Sequence, residues 1–102
     1  MSLSIKLHQT QELLRIEGAL VLDTVPQLEK ALKEIQPPIR QVDLAGVTHV
    51  DSSALAGLLS LCALSGQVQA MIFQNPPKSL RMLAQLYELD FLQFADSDTS
   101  SL

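Results

Sequence analysis

The chain has 102 residues, 47% of them hydrophobic and 18% charged, with 7 Lys+Arg against 11 Asp+Glu and a net charge of -4. A chain of this size folds as one domain and buries roughly 60–70% of the surface its unfolded form exposes, which excludes disorder as a whole. Its bases, Lys6, Arg15, Lys30, Lys33, Arg40, Lys78 and Arg81, are scattered along the sequence, so no stripe neutralises a phosphate backbone and nucleic acid is excluded as a partner.

A lone cysteine, Cys62, rules out an internal disulfide and fits a reducing compartment. The N-terminus lacks a basic segment followed by an apolar one, so no secretory signal is expected and the reading is cytoplasmic. Between Ser52 and Pro77 there is no charge, and Ala54 to Leu64 is strongly apolar. That apolar run is short of the about 20 residues a membrane span requires, and direct membrane insertion is not expected.

Leu3, Ile5 and Leu7 alternate with Ser4, Lys6 and His8, and Leu14 and Ile16 with Arg15 and Glu17. A period of two predicts a hairpin of half-buried strands. Asp23 or Thr24 then caps a helix with Pro26 in its first turn and an apolar stripe of Val25, Leu28, Leu32 and Ile35, ended by Pro37-Pro38. A short strand over 40–45 leads through Gly46 to Asp51-Ser52-Ser53, three residue types that cap helices. The helix they open runs to about Leu64 with Gly66 as its stop, and 68–73 reads as an interior strand. Strand, helix, strand at this spacing predicts a parallel crossover. Pro77 opens a third helix marked by Leu80, Leu83, Ala84 and Tyr87, and Phe91, Leu92 and Phe94 form a last short strand before a polar tail over 96–102. The expected domain spans 1–95.

Phosphate-cradling loops, paired-cysteine spacings and His-Glu-x-x-His helices are missing from the sequence, so no catalytic residue, metal site or cofactor is expected. Cys62 sits on an apolar helical face with no base or cation beside it, and reads as core. His8, His49, Glu12 and Glu17 read as edge or solvated positions; Asp43 stands out because Val42 and Leu44 flank it in a strand expected to be buried, where it either serves the loop of Asp51 or faces water.

Two features point to a partner. The helix after Asp51 is apolar on both sides, with Leu55, Leu58, Leu59 and Cys62 on one and Ala54, Gly57, Leu61 and Leu64 on the other. One stripe is enough to pack on a sheet, so the second either meets neighbouring helices, as a deeply buried helix does, or docks another protein. At its start the hydroxyls of Ser52 and Ser53 lie beside N-terminal amides, where an anion gains about 0.3–1 kcal/mol; the plain reading is a cap, and phosphorylation there is a physically adequate switch. The expected partner-binding residues are Asp51, Ser52, Ser53, Ala54, Gly57 and Leu61. Bulky replacements at Ala54 or Gly57 are expected to block a partner while sparing the fold.

The run Val42-Asp-Leu-Ala-Gly-Val-Thr-His-Val-Asp51-Ser52-Ser53-Ala54-Leu55, with Leu14-Arg-Ile-Glu-Gly18-Ala-Leu20 before it and Leu80 to Leu92 after it, resembles the STAS domain, named for sulphate transporters and anti-sigma-factor antagonists. The resemblance implies an α/β domain, a mixed four- to five-stranded sheet with helices packed on it, and a binding role rather than catalysis. Two branches of the family place Ser52 at their functional hydroxyl. In anti-sigma-factor antagonists a partner serine kinase phosphorylates it. In the small STAS subunit of the Mla phospholipid-transport ABC transporter it lies in the contact with the ATPase subunit.

Leu83-Ala-Gln-Leu-Tyr87-Glu-Leu89 resembles the closing helix of the Mla subunit, so the resemblance implies binding to that ATPase, peripheral to the inner membrane, in lipid traffic that maintains outer-membrane asymmetry. The chain departs from the family at Ala19 and Val21, where many members carry acidic residues, and at Ala54, where glycine is common.

Overall fold

The computed structural model describes residues 2–8, 12–34, 39–65, 71–89 and 92–95. The predicted stop at Gly66, the prolines at 37 and 38, Ile35, Phe91 and the tail over 96–102 lie outside them, as does the start of the strand expected over 68–73. The order of elements is β1 (Leu3–His8), β2 (Leu13–Leu20), α1 (Val25–Glu34), β3 (Gln41–Val50), α2 (Ser53–Ser65), β4 (Ile72–Gln74), α3 (Lys78–Leu86) and β5 (Gln93–Ala95). The strands form one five-stranded sheet in the order β1-β2-β3-β4-β5. β1 and β2 are the expected antiparallel hairpin, and every later pairing is parallel. The result is a single mixed α/β domain, as expected.

Because each parallel connection steps to the next strand and such crossovers are right-handed, all three helices fall on one face of the sheet. The burial pattern agrees. Leu14, Ile16, Val42, Leu44 and Phe73 point into a core shared with Leu28, Leu58, Leu61 and Leu80. The opposite face is a polar lattice: Lys6 pairs with Glu17 at 3.6 Å, Arg15 with Asp43 at 3.3 Å, and Gln74 donates to Gln41.

Asp43 belongs to this lattice and is remote from the loop of Asp51. One oxygen accepts the Ala45 N–H at 3.0 Å and the Asn75 side-chain amide at 3.2 Å, while the other meets Arg15. Three partners from three segments explain why a carboxylate is tolerated in a buried position. Glu12 pairs with Arg40 at 2.6 Å, and His8 and His49 are exposed.

β2 and β3 are longer than their alternation suggests. β2 continues through Gly18 to Leu20, and β3 through Gly46 to Val50, with register shifts between Arg15 and Glu17 and between Gly18 and Ala19. Gly18 has φ +100°, and a Cβ there would stand 2.4 Å from the carbonyl oxygen of Ser2. Both conformation and space demand glycine. Gly18→Ala is expected to lower unfolding free energy by about 1–3 kcal/mol, measured by urea titration.

Cys62 is buried, and desolvation holds its thiol above the ordinary range. The folded protein is therefore expected to resist iodoacetamide at pH 8 and to react promptly once unfolded in urea; comparable rates in both states would contradict this packing.

A candidate docking groove at the C-terminal end of the sheet

Parallel strands deliver their outgoing loops to one edge, and here that edge gathers the residues the sequence singles out. β2 and β3 remain paired as far as Leu20 and Val50. The turn after β2 and the start of α2 therefore emerge side by side.

Asp51 joins them. Its Oδ1 accepts the N–H of Ser53 at 2.8 Å, the bond of a helix cap, and its Oδ2 accepts the N–H of Leu22 at 3.1 Å, 29 residues earlier. The Ala54 and Leu55 amides donate to the carbonyls of Asp51 and Ser52. Amides that the sequence offers to an anion are thus already engaged by this chain's own oxygens. Ser52 itself stays exposed, while Ser53 is half-buried.

α1 is entered through a turn closed by the Thr24 N–H on the Val21 carbonyl at 2.9 Å. The buried Thr24 hydroxyl donates to the Ala19 carbonyl at 2.7 Å and accepts the Val21 N–H at 3.0 Å. Of the two expected caps it is Thr24 that carries the hydrogen bonds, and it braces the turn backwards.

α2 corrects the reading of its two faces. Ala54, Gly57 and Leu61 are buried, and a Cβ on Gly57 would touch Leu28 at 3.0 Å and come within 3.9 Å of Leu20 and Val25. The second apolar face is covered within the domain, because α1 packs across it, a contact further tied by the Ser60 hydroxyl on Glu29 at 3.1 Å. Ala54, Gly57 and Leu61 accordingly do not belong to an outer surface. A bulky group at Ala54 or Gly57 would disturb the core rather than spare the fold.

On α2 itself Leu59 is exposed, but the most exposed large apolar side chains lie on α3, at its end and in the β2–α1 turn. Leu22 is 68% exposed, Met82 58%, Leu86 72% and Tyr87 55%. Leu80 and Ala84 face the core as expected, but the helix ends at Leu86, and Tyr87, the residue capping its end, turns outward. Pro77 is the residue before the first turn rather than within it. Ser79, Met82 and Leu86 follow one another at helical spacing on the outer side, and with Leu83, Tyr87, Val50, Asp51 and Ser52 they line an open groove of about 670 Å³. A second depression shares Ser52 and Tyr87 with it and is completed by Leu55 and Leu89. Met82, Leu86 and Leu22 escaped the sequence reading. The available signal was a second apolar row on α3, offset from Leu80, Leu83 and Ala84.

This groove has one carboxylate, already bonded twice, and no base. Among the described residues no group of three His, Cys, Asp or Glu side chains could hold a metal ion, and no helix is long and apolar enough to cross a membrane. What the groove offers is apolar area around a hydroxyl, which suits protein contact.

The family profile described as "Mlab, STAS domain" matches residues 3–93. The chain belongs to the STAS family. The STAS domain is a protein-interaction module. Two solved structures share its fold. The anti-sigma factor antagonist SpoIIAA, in its unphosphorylated form, is 19% identical with a TM-score of 0.65, the match covering 98% of this chain and 92% of that one. A Thermotoga maritima protein designated an anti-sigma factor antagonist is 14% identical with a TM-score of 0.67, covering 96% and 89%. No curated protein sequence matches the chain.

Proposed function

We propose that this STAS domain is a non-enzymatic subunit that docks on the ATPase subunit of an Mla-type phospholipid-transport ABC transporter and supports its assembly. It thereby serves outer-membrane lipid asymmetry from the cytoplasmic side of the inner membrane. The observation that carries this reading is the exposed Ser52 on the lip of a groove whose far wall is the outward Met82, Leu86 and Tyr87. The description of the matching family supports the choice of transporter. The docking region proposed comprises Asp51 and Ser52, with Ser53 beside them, together with the α3 residues. A standard interface would bury about 800 Å² on this side.

Co-purification of the ATPase subunit with the full chain, and its loss with Ser52→Asp at unchanged melting temperature, is the expected result. Retention of the ATPase by Ser52→Asp would remove Ser52 from the contact.

A second reading makes the domain an antagonist of a serine-kinase anti-sigma factor, phosphorylated on Ser52. The exposure of that hydroxyl and the likeness to two antagonists favour it. The engaged amides at the start of α2 weigh against it, since a phosphate there would find Asp51 as its neighbour and few open donors. It requires a one-phosphate mass increase on Ser52 after incubation with the cognate kinase and ATP.

A further inference from the structure

The turn that carries Leu22 is built in two parts with different anchors. Its ends are held from within by the Val21 carbonyl and the buried Thr24 hydroxyl. Its crest, Leu22 and Asp23, is exposed. Among the described residues, the crest is tied to the rest of the domain by the Leu22 N–H on Asp51 Oδ2. The same carboxylate caps α2 with its other oxygen. One side chain therefore sets both the first turn of α2, where Ser52 stands, and the position of the most exposed apolar residue before α1.

We propose that Asp51 is a positioning residue for docking, holding the Val21–Thr24 turn so that Leu22 forms part of the surface covered by the ATPase subunit. This rests on the reading of the Ser52 groove as the docking site. Leu22 extends that surface beyond the groove walls through its bond to Asp51, which lines the groove. A cap alone needs one carboxylate oxygen; the second bond, to an amide 29 residues away, is what a cap does not require. Asparagine at this position retains one acceptor oxygen and so keeps either the cap or the link, whereas alanine removes both acceptors and breaks the link outright.

The test has two arms on the full chain. By NMR, the Leu22 amide is expected to exchange with solvent up to about tenfold faster in Asp51→Ala than in the parent, as loss of one hydrogen bond allows. Unchanged Leu22 exchange overturns the proposal whatever the partner is. By calorimetry with the ATPase subunit, Leu22→Ala and Asp51→Ala are each expected to weaken binding by about tenfold. The double variant should be no weaker than the poorer single one, because Asp51 acts through Leu22. If the two losses multiply, Asp51 acts separately and the proposal fails. Leu22→Ala is an exposed change that leaves folding intact, and Asp23→Asn, on the same crest, is the control expected to alter neither readout. Parent protein that does not bind the ATPase at all defeats the docking reading and the role given to Leu22, while the exchange arm still decides the Asp51 link.

Discussion

Met82→Glu together with Leu86→Glu is expected to weaken the proposed docking on the ATPase subunit by at least about a hundredfold while the melting temperature hardly moves. The two side chains stand one helical turn apart on the outer face of α3 and contribute little to the core, being 58% and 72% exposed. Surface changes of this kind usually alter stability by no more than about 0.5 kcal/mol, and glutamate is a good helix former. In an interface the balance reverses. Two carboxylates would have to be desolvated against an apolar partner, and well-packed anchors are worth about 2 kcal/mol or more each, with about 1.4 kcal/mol per tenfold in affinity. Calorimetry with the ATPase subunit, beside a thermal melt of each protein, checks both halves. Full affinity in the double variant would show that α3 is not the contact.

The second large effect belongs to the core. Phe73→Ala is expected to remove about 3–5 kcal/mol of the about 5–15 kcal/mol that holds a domain of this size together. Phe73 is fully buried in β4, a strand of three residues that must pair with β3 through Val42 and with β5 through Phe94. Its ring also packs tilted on Phe94 with centroids 6.1 Å apart, and Phe94 in turn receives the Arg81 guanidinium at 5.8 Å. Emptying this position leaves a cavity where three elements meet and no long strand compensates. Urea unfolding should show a lower midpoint with a similar slope. A loss below about 1 kcal/mol would mean that the site collapses around the gap, contrary to the packing described.

Most of the architecture was legible because the strands and the first helix obey simple periods. Leu3, Ile5 and Leu7 alternate cleanly, the stripe of Val25, Leu28 and Leu32 faces inward, and Asp51 caps α2. Local patterning could not reveal the extension of β3 past Gly46, because glycine suggests a break and the pairing of Glu17 with Gly46 that carries the strand onward is a long-range contact. Nor could composition say what covers the second face of α2. A partner in trans and α1 in cis demand the same apolar residues, and only the three-dimensional arrangement shows Leu28 pressed against Gly57. Only part of the proposed docking surface was legible. Ser52 carried a recognisable signature, whereas Met82 and Leu86 look in sequence like further core positions of an amphipathic helix and are distinguished only by which side α3 turns to the sheet.

The close approach at Gly57 belongs to the inside of the domain. A methyl group added there would lie 3.0 Å from the terminal Cδ2 of Leu28, so that side chain would have to give by a few tenths of an ångström within a close-packed core. Gly57 is thus a spacer: it sets how near α1 and α2 can lie, and any side chain larger than a methyl would force the pair apart from within.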